Sequence, residues 1–166
     1  MKSFYVYEMK YEGRAPIIDT VEITPLCEKY YSQYERIYNE CFYEMREALD
    51  VQPYNFYSDI EQIRGRMDNI FVLMHDAIII GSVGCYGTEI DDLIVNKQFQ
   101  NRGYGRTLLL WAIHHIRTHT AEPIIIHVAE WNQNAIRLYM SNGFVVTRKE
   151  RVNESPNPPA MLGRIE

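Results

Sequence analysis

Apolar and polar residues in the first part of the chain alternate with the short period of β-strands. Residues 4–11 and 17–23 are rich in strand-forming side chains and flank the turn-prone segment 12–16, so they are predicted to form two strands. The first of these is expected at an edge of the sheet, as a strand added to the core. After residue 25 the pattern changes to the longer period of helices.

Two helices are predicted before residue 70. Within residues 26–49, apolar or aromatic residues recur every three or four positions, as an amphipathic helix requires. A second helix is predicted to begin at Ser58. The Ser58 hydroxyl can accept a hydrogen bond from an N–H group of the first turn, and the Glu61 side chain can accept one from the N–H of Ser58. That helix is expected to end near Asn69.

The second half of the chain is predicted to open with closely spaced strands. Three short apolar runs, at 71–74, 77–86 and 88–95, are separated only by turn residues. Because no helix-length segment lies between them, they are predicted to form an antiparallel meander. A helix over 104–119 is then predicted from apolar residues on one side, and Pro123 ends it.

Strands and a short helix are predicted to complete the chain. The segments are a strand at 124–129, a helix at 133–141 that Gly143 ends, a strand at 144–151 and a short last strand at 160–166. This order predicts a mixed α/β sheet. The length of 166 residues and the apolar content of 46% fit one core, so a single domain is expected over residues 1–166.

Composition and charge narrow the class of partner. The net charge of −5 argues against broad nucleic-acid binding and favours a cationic partner. Apolar stretches are shorter than the roughly 18 residues of a membrane helix, and the N-terminus lacks the pattern of a signal peptide, so no membrane partner is expected. The three cysteines stand at no disulfide or metal spacing, which indicates reduced thiols and a cytoplasmic location.

Residues 100–106 carry the strongest chemical signal in the sequence. They join the strand at 88–95 to the next helix, and two glycines, Gly103 and Gly105, leave the helix start without side-chain bulk. Backbone N–H groups at such a place can approach an anion, and the helix dipole favours negative charge there. A phosphorylated ligand is therefore predicted, although the segment fits neither the P-loop pattern nor the dinucleotide fingerprint.

Three motifs follow one another from residue 100 to residue 144. They are Gln100-x-x-Gly103-x-Gly105, Asn132-x-x-Ala135-x-x-Leu138-Tyr139 and Gly143-Phe144. In this order they resemble the GNAT superfamily of acetyl-CoA-dependent N-acetyltransferases, over residues 70–147. The resemblance implies a central mixed, mostly antiparallel sheet that is flanked by helices and splayed between its fourth and fifth core strands. The pantetheine arm of acetyl-CoA would enter between these strands, here 88–95 and 124–129.

The resemblance also implies which residues bind acetyl-CoA. Main-chain groups of Leu93, Ile94 and Val95 would contact the pantetheine and the thioester oxygen, while Asn132 would contact the arm, cap the following helix, or do both. The glycine motif would surround the pyrophosphate with N–H groups, and its two arginines would either add charge or remain solvated. The residues of this motif are Gln100, Asn101, Arg102, Gly103, Tyr104, Gly105 and Arg106.

Acetyl transfer to an amine needs an acid for the leaving thiolate and a base for the amine. Tyr139 occupies the family's Leu-Tyr position, so the resemblance implies that it is the general acid, since a phenol stays protonated at neutral pH. Glu89 and His127 are the alternative bases, because each stands where some members of the family carry a catalytic glutamate. Strand alternation is expected to place Glu89 on one face with Asp91 and Leu93.

Two other signals have competing structural explanations. His115 and His119 stand four residues apart on a helix, but no third ligand accompanies them, so no metal site is expected. The aromatic segment 53–57 either lines an amine pocket through cation–π contacts or anchors its loop in the core.

The predicted function is direct transfer of an acetyl group from acetyl-CoA to a primary amine. Two alternatives are a non-catalytic acyl-CoA-binding regulatory module and an acetyltransferase that acts on a protein N-terminus or lysine. The acceptor is therefore expected to be a small-molecule or peptide amine. Its side of the site is expected either to be open or to be completed by another subunit, in a homodimer.

Overall fold

One seven-stranded sheet organises the computed structural model, which describes residues 2–153. The strands are β1 (Phe4–Tyr11), β2 (Ile23–Pro25), β3 (Ile70–His75), β4 (Ile78–Tyr86), β5 (Glu89–Val95), β6 (Ile125–Ala129) and β7 (Phe144–Val152). The α-helices are α1 (Tyr31–Ala48), α2 (Tyr104–Arg117) and α3 (Gln133–Ser141). The strand order is β2-β3-β4-β5-β6-β1-β7, and every neighbouring pair is antiparallel except β5 with β6. The predicted mixed α/β class is confirmed.

The N-terminal strand lies inside the sheet, which corrects the expectation of an edge strand. β1 pairs with β6 from Val6 opposite Ala129 to Lys10 opposite Ile125, and it pairs with β7 along its other side. Val6 and Met9 are buried in two different hydrophobic clusters, so both faces of this strand contribute to the interior. The strands at the two edges of the sheet are β2 and β7.

β5 and β6 separate soon after they meet. Among the described residues, they pair only at Glu89 with Ile125 and at Ile90 with Ile126. Two residues further along β5, Asp92 has a positive φ of 48°, and the register between β4 and β5 shifts at the same place. This is a β-bulge, which bends the strand that carries it. The sheet is thus splayed between these two strands, as the family resemblance implied.

Because of the bulge, side chains after Asp92 lie on the face of the sheet opposite to the one that strict alternation along β5 would give them. Ile90 is buried in the cluster that contains α2, whereas Ile94 is buried in the cluster that contains α1. Leu93 packs against the α2 cluster, which is the face opposite to that of Glu89. The predicted common face for Glu89, Asp91 and Leu93 is therefore wrong for Leu93, because the extra residue of the bulge interrupts the alternation of the strand.

The predicted helix over 58–69 forms two short 3₁₀ helices instead. The 3₁₀ helices of the described chain are Glu28–Tyr30, Ile60–Gln62, Arg64–Asn69 and Lys97–Phe99. Asp59, not Ser58, is the capping residue, because its carboxylate accepts a hydrogen bond from the N–H of Glu61 at 2.9 Å. Ser58 and Asp59 are both common N-cap residues, so the sequence pattern could not decide which of them caps the helix. The first turn starts one residue later than predicted.

The predicted strand at 17–23 is largely wrong. Only its last residue belongs to β2, which pairs with β3 over three residues, and Ile17 is 97% exposed. A strand needs a neighbour for its main-chain groups, and residues 17–22 have none in the sheet. The predicted last strand at 160–166 lies outside the described residues.

Helices cover both faces of the sheet. On one face, α2 buries the apolar side predicted for it, which consists of Leu108, Leu109, Ala112, Ile113 and Ile116. On the other face, α1 buries Tyr34, Ile37 and Tyr38 among the aromatic side chains that follow it. No helix within residues 2–153 is both long and apolar enough to cross a bilayer.

Gly81 of β4 permits the close packing of α2 on the sheet. A Cβ at this position would lie 2.7 Å from the carbonyl oxygen of Ile94 and 2.7 Å from Cδ1 of Leu108. Gly81→Ala is therefore expected to lower the free energy of unfolding by about 1–3 kcal/mol, the usual cost of overpacking, as measured by urea denaturation. In the control Gly65→Ala, a Cβ meets no atom within 4 Å, so stability should stay the same or rise slightly. Equal losses in both variants would contradict this explanation.

Candidate active site

The loop before α2 has several main-chain N–H groups that lack a hydrogen-bond partner in the described part of the chain. Asn101 and Gly103 have positive φ values of 62° and 87°, and the helix starts after Gly103 without a side-chain cap. Within residues 2–153, no main-chain carbonyl accepts a hydrogen bond from the N–H groups of residues 100–103. Because the first N–H groups of a helix also lack an intrahelical acceptor, this place can bind an anion.

The two glycines of the motif serve different purposes. Gly103 needs to be glycine for its backbone, because its φ is positive while the space around its Cβ position is open. Gly105 has no such φ, but a Cβ there would lie 3.4 Å from Cδ2 of Leu138 and 3.8 Å from Cγ2 of Val95. Gly103 thus shapes the loop, whereas a Cβ at Gly105 would only make ordinary van der Waals contacts with Leu138 and Val95.

A cleft of about 760 Å³ runs from this loop to the open side of β5, between α1 and α3. It is bordered by most of the predicted cofactor-binding residues, namely Leu93, Ile94, Val95, Gln100, Asn101, Gly103, Tyr104, Gly105, Arg106 and Asn132. Arg102 is not among its lining residues, and its guanidinium lies 5.7 Å from the ring centre of Phe99. Arg106 borders the cleft and donates from Nε to Oδ1 of Asn142 at 3.1 Å. The structure thus distinguishes two arginines that the sequence left equivalent.

The main chain of β5 meets this cleft at Val95. Its carbonyl oxygen accepts hydrogen bonds from the Sγ of Cys41 at 3.3 Å and from the Nε2 of Gln100 at 3.0 Å. Sequence reasoning missed Cys41, which borders the cleft from α1, and no motif in α1 would have revealed it. Burial raises the pKa of its thiol to about 11, so Cys41 acts here as a neutral hydrogen-bond donor.

A smaller cavity of about 30 Å³ lies at the fork between β5 and β6. Asn132, Tyr139 and His127 all border it, so the fork brings the predicted acid close to one of the predicted bases. Asn132 caps α3 by accepting a hydrogen bond from the N–H of Ala135 at 3.2 Å. It also borders the larger cleft, which makes the capping role compatible with the predicted contact to a ligand.

The hydroxyl of Tyr139 is held in its protonated form. Only 7% of this residue is exposed, and burial raises the pKa of the phenol well above its usual value, with further contributions from the charges of Asp91 and Asp92. Among residues 2–153, the hydroxyl has no hydrogen-bond partner, although it lies at the fork cavity. Tyr139 thus borders the fork cavity as a neutral phenol.

Glu89 and His127, the two alternative bases, are in direct contact. Nδ1 of His127 lies 3.1 Å from Oε1 of Glu89, and Nε2 of the same ring lies 3.3 Å from Oε2 of Glu8. Each side chain comes from a different strand, with Glu8 on β1, Glu89 on β5 and His127 on β6. We call these three residues the carboxylate–histidine cluster. It lies beside the two residue pairs where β5 and β6 still meet.

The cluster favours a charged imidazole. The hydrogen bond to Glu89 is the main cause that raises the pKa of His127; burial opposes it, and the charge of Glu89 and the contact with Glu8 add to it. Burial alone would raise the pKa of Glu8, but the hydrogen bond from Thr147, the charge of Arg148 and the contact with His127 outweigh it, so that pKa is lowered. Both ring nitrogens of His127 thus lie against carboxylate oxygens, an arrangement that favours the doubly protonated ring.

Sequence reasoning missed Glu8. The residue belongs to no motif, and its position opposite His127 follows from the pairing of β1 with β6, which joins residues more than a hundred positions apart. The only signal in the sequence was that Glu8 lies within a predicted strand. A strand expected at the edge of the sheet gave no reason to place it at the site.

The residues of the two weaker signals make packing contacts. In segment 53–57, Phe56 and Tyr57 are buried in the core beneath α1, and the hydroxyl of Tyr54 bonds to Asp50 at 2.9 Å. His115 stacks on Trp111 with ring centres 4.8 Å apart. Within the described chain, no group of three or more potential ligands is arranged to hold a metal ion.

Comparison with known families gives one match. A sequence model described as the Acetyltransferase (GNAT) family matches residues 31–144, which is more than half of the chain. The matched region includes the glycine loop, the fork and Tyr139, but it excludes β1 and therefore Glu8.

Comparison with individual proteins gives several relatives. Mycothiol acetyltransferase of Thermomonospora curvata is 36% identical over 64 residues, covering 39% of this chain and 22% of that protein. An acetyltransferase of the GNAT family from Colwellia psychrerythraea superposes with a TM-score of 0.67 at 11% identity, covering 91% of this chain and 56% of the other. PaiA N-acetyltransferase from Thermoplasma acidophilum, solved in complex with coenzyme A, superposes with a TM-score of 0.54 at 15% identity, covering 75% and 89%. The structural likenesses concern the fold alone, and the chain spans about a fifth of its curated relative.

The charge of His127 makes stability depend on pH. Because its pKa is raised, the folded protein binds this proton more tightly than the unfolded chain does, where the value is about 6.5. The resulting stabilisation is complete below that value and is lost as the pH rises through the raised pKa. The difference in unfolding free energy between the wild type and His127→Gln should therefore shrink as the pH rises above about 6.5, as measured by urea denaturation. A difference that stays constant over this range would contradict a charged His127.

Proposed function

The chain belongs to the Acetyltransferase (GNAT) family, and on this premise we propose that it transfers an acetyl group from acetyl-CoA directly to a primary amine. One observation carries the proposal. A single cleft begins at the uncapped start of α2 and continues to the side of β5 where the sheet has separated. Anion-binding N–H groups at one end and an unpaired strand edge at the other suit a ligand that carries a pyrophosphate and an amide-rich arm.

Acetyl-CoA is the ligand that these groups fit. The N–H groups of residues 101–106 would bind its pyrophosphate, and Arg106 would add positive charge from the border of the cleft. Main-chain groups of Leu93, Ile94 and Val95 would bind the pantetheine arm. For the carbonyl of Val95 to take part, its hydrogen bond with Gln100 or with Cys41 would have to break. When bound, acetyl-CoA supplies an acetyl group that is activated as a thioester.

Glu89 is the base in this proposal. An alkyl amine has a pKa of about 10.4 and is protonated near neutral pH, so a proton must be removed before the nitrogen can attack. His127 is less suited, because both of its ring nitrogens face carboxylates, and these contacts raise its pKa and favour the protonated imidazole. Among residues 2–153, Oε2 of Glu89 has no hydrogen-bond partner, which leaves this oxygen available to the amine.

Tyr139 is the proposed acid. A thiolate leaving the fork would need a proton, and Tyr139 keeps one because burial raises its pKa. An N–H group of Ile94 or Val95 would stabilise the oxyanion, a contribution worth about 3 kcal/mol in comparable sites. Tyr139 borders the fork cavity, whereas Ile94 and Val95 border the larger cleft, which shares Leu93 and Asn132 with that cavity.

The acceptor is proposed to be a small-molecule or peptide amine. Residues 1–166 are proposed to form one domain, because a single sheet takes strands from both ends of the described chain.

Binding of coenzyme A tests the cleft, with Gly103→Ala as the variant. A Cβ at Gly103 meets no atom within 4 Å, but the φ of 87° is unfavourable for alanine by about 1–2 kcal/mol. The loop of the variant should therefore relax away from the shape that exposes its N–H groups. We expect coenzyme A to bind about tenfold more weakly, which corresponds to about 1.4 kcal/mol, in a calorimetric titration.

Gly87→Ala is the matched control for this titration. Gly87 also has a positive φ, of 62°, and open space at its Cβ position, but it lies in the turn between β4 and β5, away from the cleft. Its substitution should cost similar stability and leave the affinity for coenzyme A unchanged. If both variants bound coenzyme A as the wild type does, the loop would not be the pyrophosphate site.

Turnover is tested by the release of free thiol from acetyl-CoA in the presence of a panel of amines and of peptides with free α-amino or lysine groups. Tyr139→Phe is expected to lower kcat about 100-fold, the lower range for loss of an acid–base group, with unchanged affinity for coenzyme A. Tyr5→Phe, a tyrosine that is 40% exposed and outside the cleft, should retain full activity.

Each outcome of this assay distinguishes between functions. Coenzyme A binding without acceptor-dependent thiol release for any amine or peptide would contradict the enzyme and support a non-catalytic acyl-CoA-binding module. Release with peptides alone would identify a protein acetyltransferase. Full activity of Tyr139→Phe would show that another group protonates the thiolate.

A further inference from the structure

Glu8 contacts the proposed base only through His127. The carboxylate lies 3.3 Å from Nε2 of His127, and the opposite nitrogen of the same ring lies 3.1 Å from Glu89. The side chains of all three residues are about three-quarters buried, with exposures of 25%, 26% and 28% for His127, Glu8 and Glu89. A substitution of Glu8 is therefore expected to affect Glu89 through the imidazole of His127.

The neighbouring charged groups hold Glu8 in place and ionised. From β7, Oγ1 of Thr147 donates to Oε1 of Glu8 at 3.0 Å, and Arg148 donates to its Oε2 at 3.2 Å. Arg148 is also paired with Glu150 at 3.2 Å. From β5, Glu89 is the carboxylate on the other side of His127. Glu8 is thus the fixed end of the cluster, since three hydrogen bonds orient it.

We propose that Glu8 is a positioning residue for deprotonation of the acceptor, which it assists by holding His127 as a cation that fixes the carboxylate of Glu89. This inference rests on the proposed function. The imidazolium engages Oε1 of Glu89 through a charge-assisted hydrogen bond, which is stronger and more directional than a neutral one. Oε2 of Glu89 then faces the acceptor in one orientation.

The proton balance of the assisted step is simple. An N–H bond of the acceptor's ammonium group breaks, the nitrogen keeps the electron pair, and the proton forms an O–H bond with Oε2 of Glu89. The protons on both nitrogens of His127 stay where they are, so no proton passes through Glu8. The protonated Glu89 loses its proton to solvent after the acetyl group has been transferred, which its partial exposure permits.

This arrangement predicts how the effect of Glu8 depends on pH. Without the carboxylate of Glu8, His127 loses one of the two partners that raise its pKa, so the imidazole becomes neutral at a lower pH. Once it is neutral, its contact with Glu89 is no longer charge-assisted, and the base is less well oriented. Loss of Glu8 should therefore matter little at acidic pH and increasingly at alkaline pH.

The charge state of His127 is the first test and does not require a substrate. The side-chain ¹⁵N resonances of His127, assigned by their loss in His127→Gln, should report two protonated nitrogens at neutral pH in the wild type. In Glu8→Gln, which keeps the shape of the side chain, the titration of His127 should move to lower pH. Glu150→Gln is the matched control, because Glu150 pairs with Arg148 but does not contact His127. An ordinary titration in the wild type, or no shift in Glu8→Gln, would overturn the proposal.

The second test uses an acceptor found in the amine panel. The ratio of kcat for Glu8→Gln to kcat for the wild type should be near one at about pH 6 and should fall about tenfold by about pH 9, within the range expected for a misplaced catalytic group. The ratio for Glu150→Gln should remain flat. In a His127→Gln background, Glu8→Gln should have no further effect, because Glu8 acts through the ring.

The outcomes separate this inference from the proposed function. If the wild type releases no thiol with any acceptor, the proposed function fails, and the role of Glu8 in deprotonation fails with it. If the wild type is active but the ratio does not change with pH, only the role of Glu8 is overturned. Additive losses in the double variant would likewise overturn it, since they would show that Glu8 acts independently of His127.

Discussion

The separation of β5 from β6 is the constraint on which the rest of the structure depends. The strands pair at two residue positions and then part, because the bulge at Asp92 bends β5. Local hydrogen bonds hold this unusual backbone: the side chain of Asp91 accepts from the N–H of Asp92 at 2.8 Å, and Tyr38 donates to the side chain of Asp92 at 3.3 Å. Without the bulge, continued pairing of β5 with β6 would close the fork cavity that Tyr139 borders and the adjoining end of the cleft.

The same fork explains why the polar groups of the site lie where they do. Residues before the bulge remain in the ladder, so Glu89 stays close to His127 of β6. Residues after the bulge turn away, so Leu93, Ile94 and Val95 border the cleft that leads to the start of α2. The candidate base therefore stands on the paired side of the divergence and the candidate binding groups on the unpaired side.

Burial and neighbouring charges act in the same direction on the pKa of Tyr139 but in opposite directions on the pKa of His127. Tyr139 is buried near Asp91 and Asp92, and both influences keep the phenol protonated. His127 is partly buried, but its two carboxylate neighbours outweigh that burial and raise the pKa of the imidazole. Tyr139 and His127 therefore border the same small cavity, although their surroundings favour a neutral phenol and a protonated imidazole.

The sequence by itself determined the elements and motifs whose physical cause is local. The meander, the buried side of α2, the glycine loop and the cap of α3 follow from periodicity, turn residues and side chains within a few positions of one another. Only the tertiary structure decided that β1 lies inside the sheet, that Glu8 reaches His127, that Leu93 leaves the face of Glu89, and that Arg106 borders the cleft while Arg102 does not. These features arise from pairing between strands far apart in the chain and from one extra residue in a bulge, and neither leaves a periodic signal in the order of the amino acids.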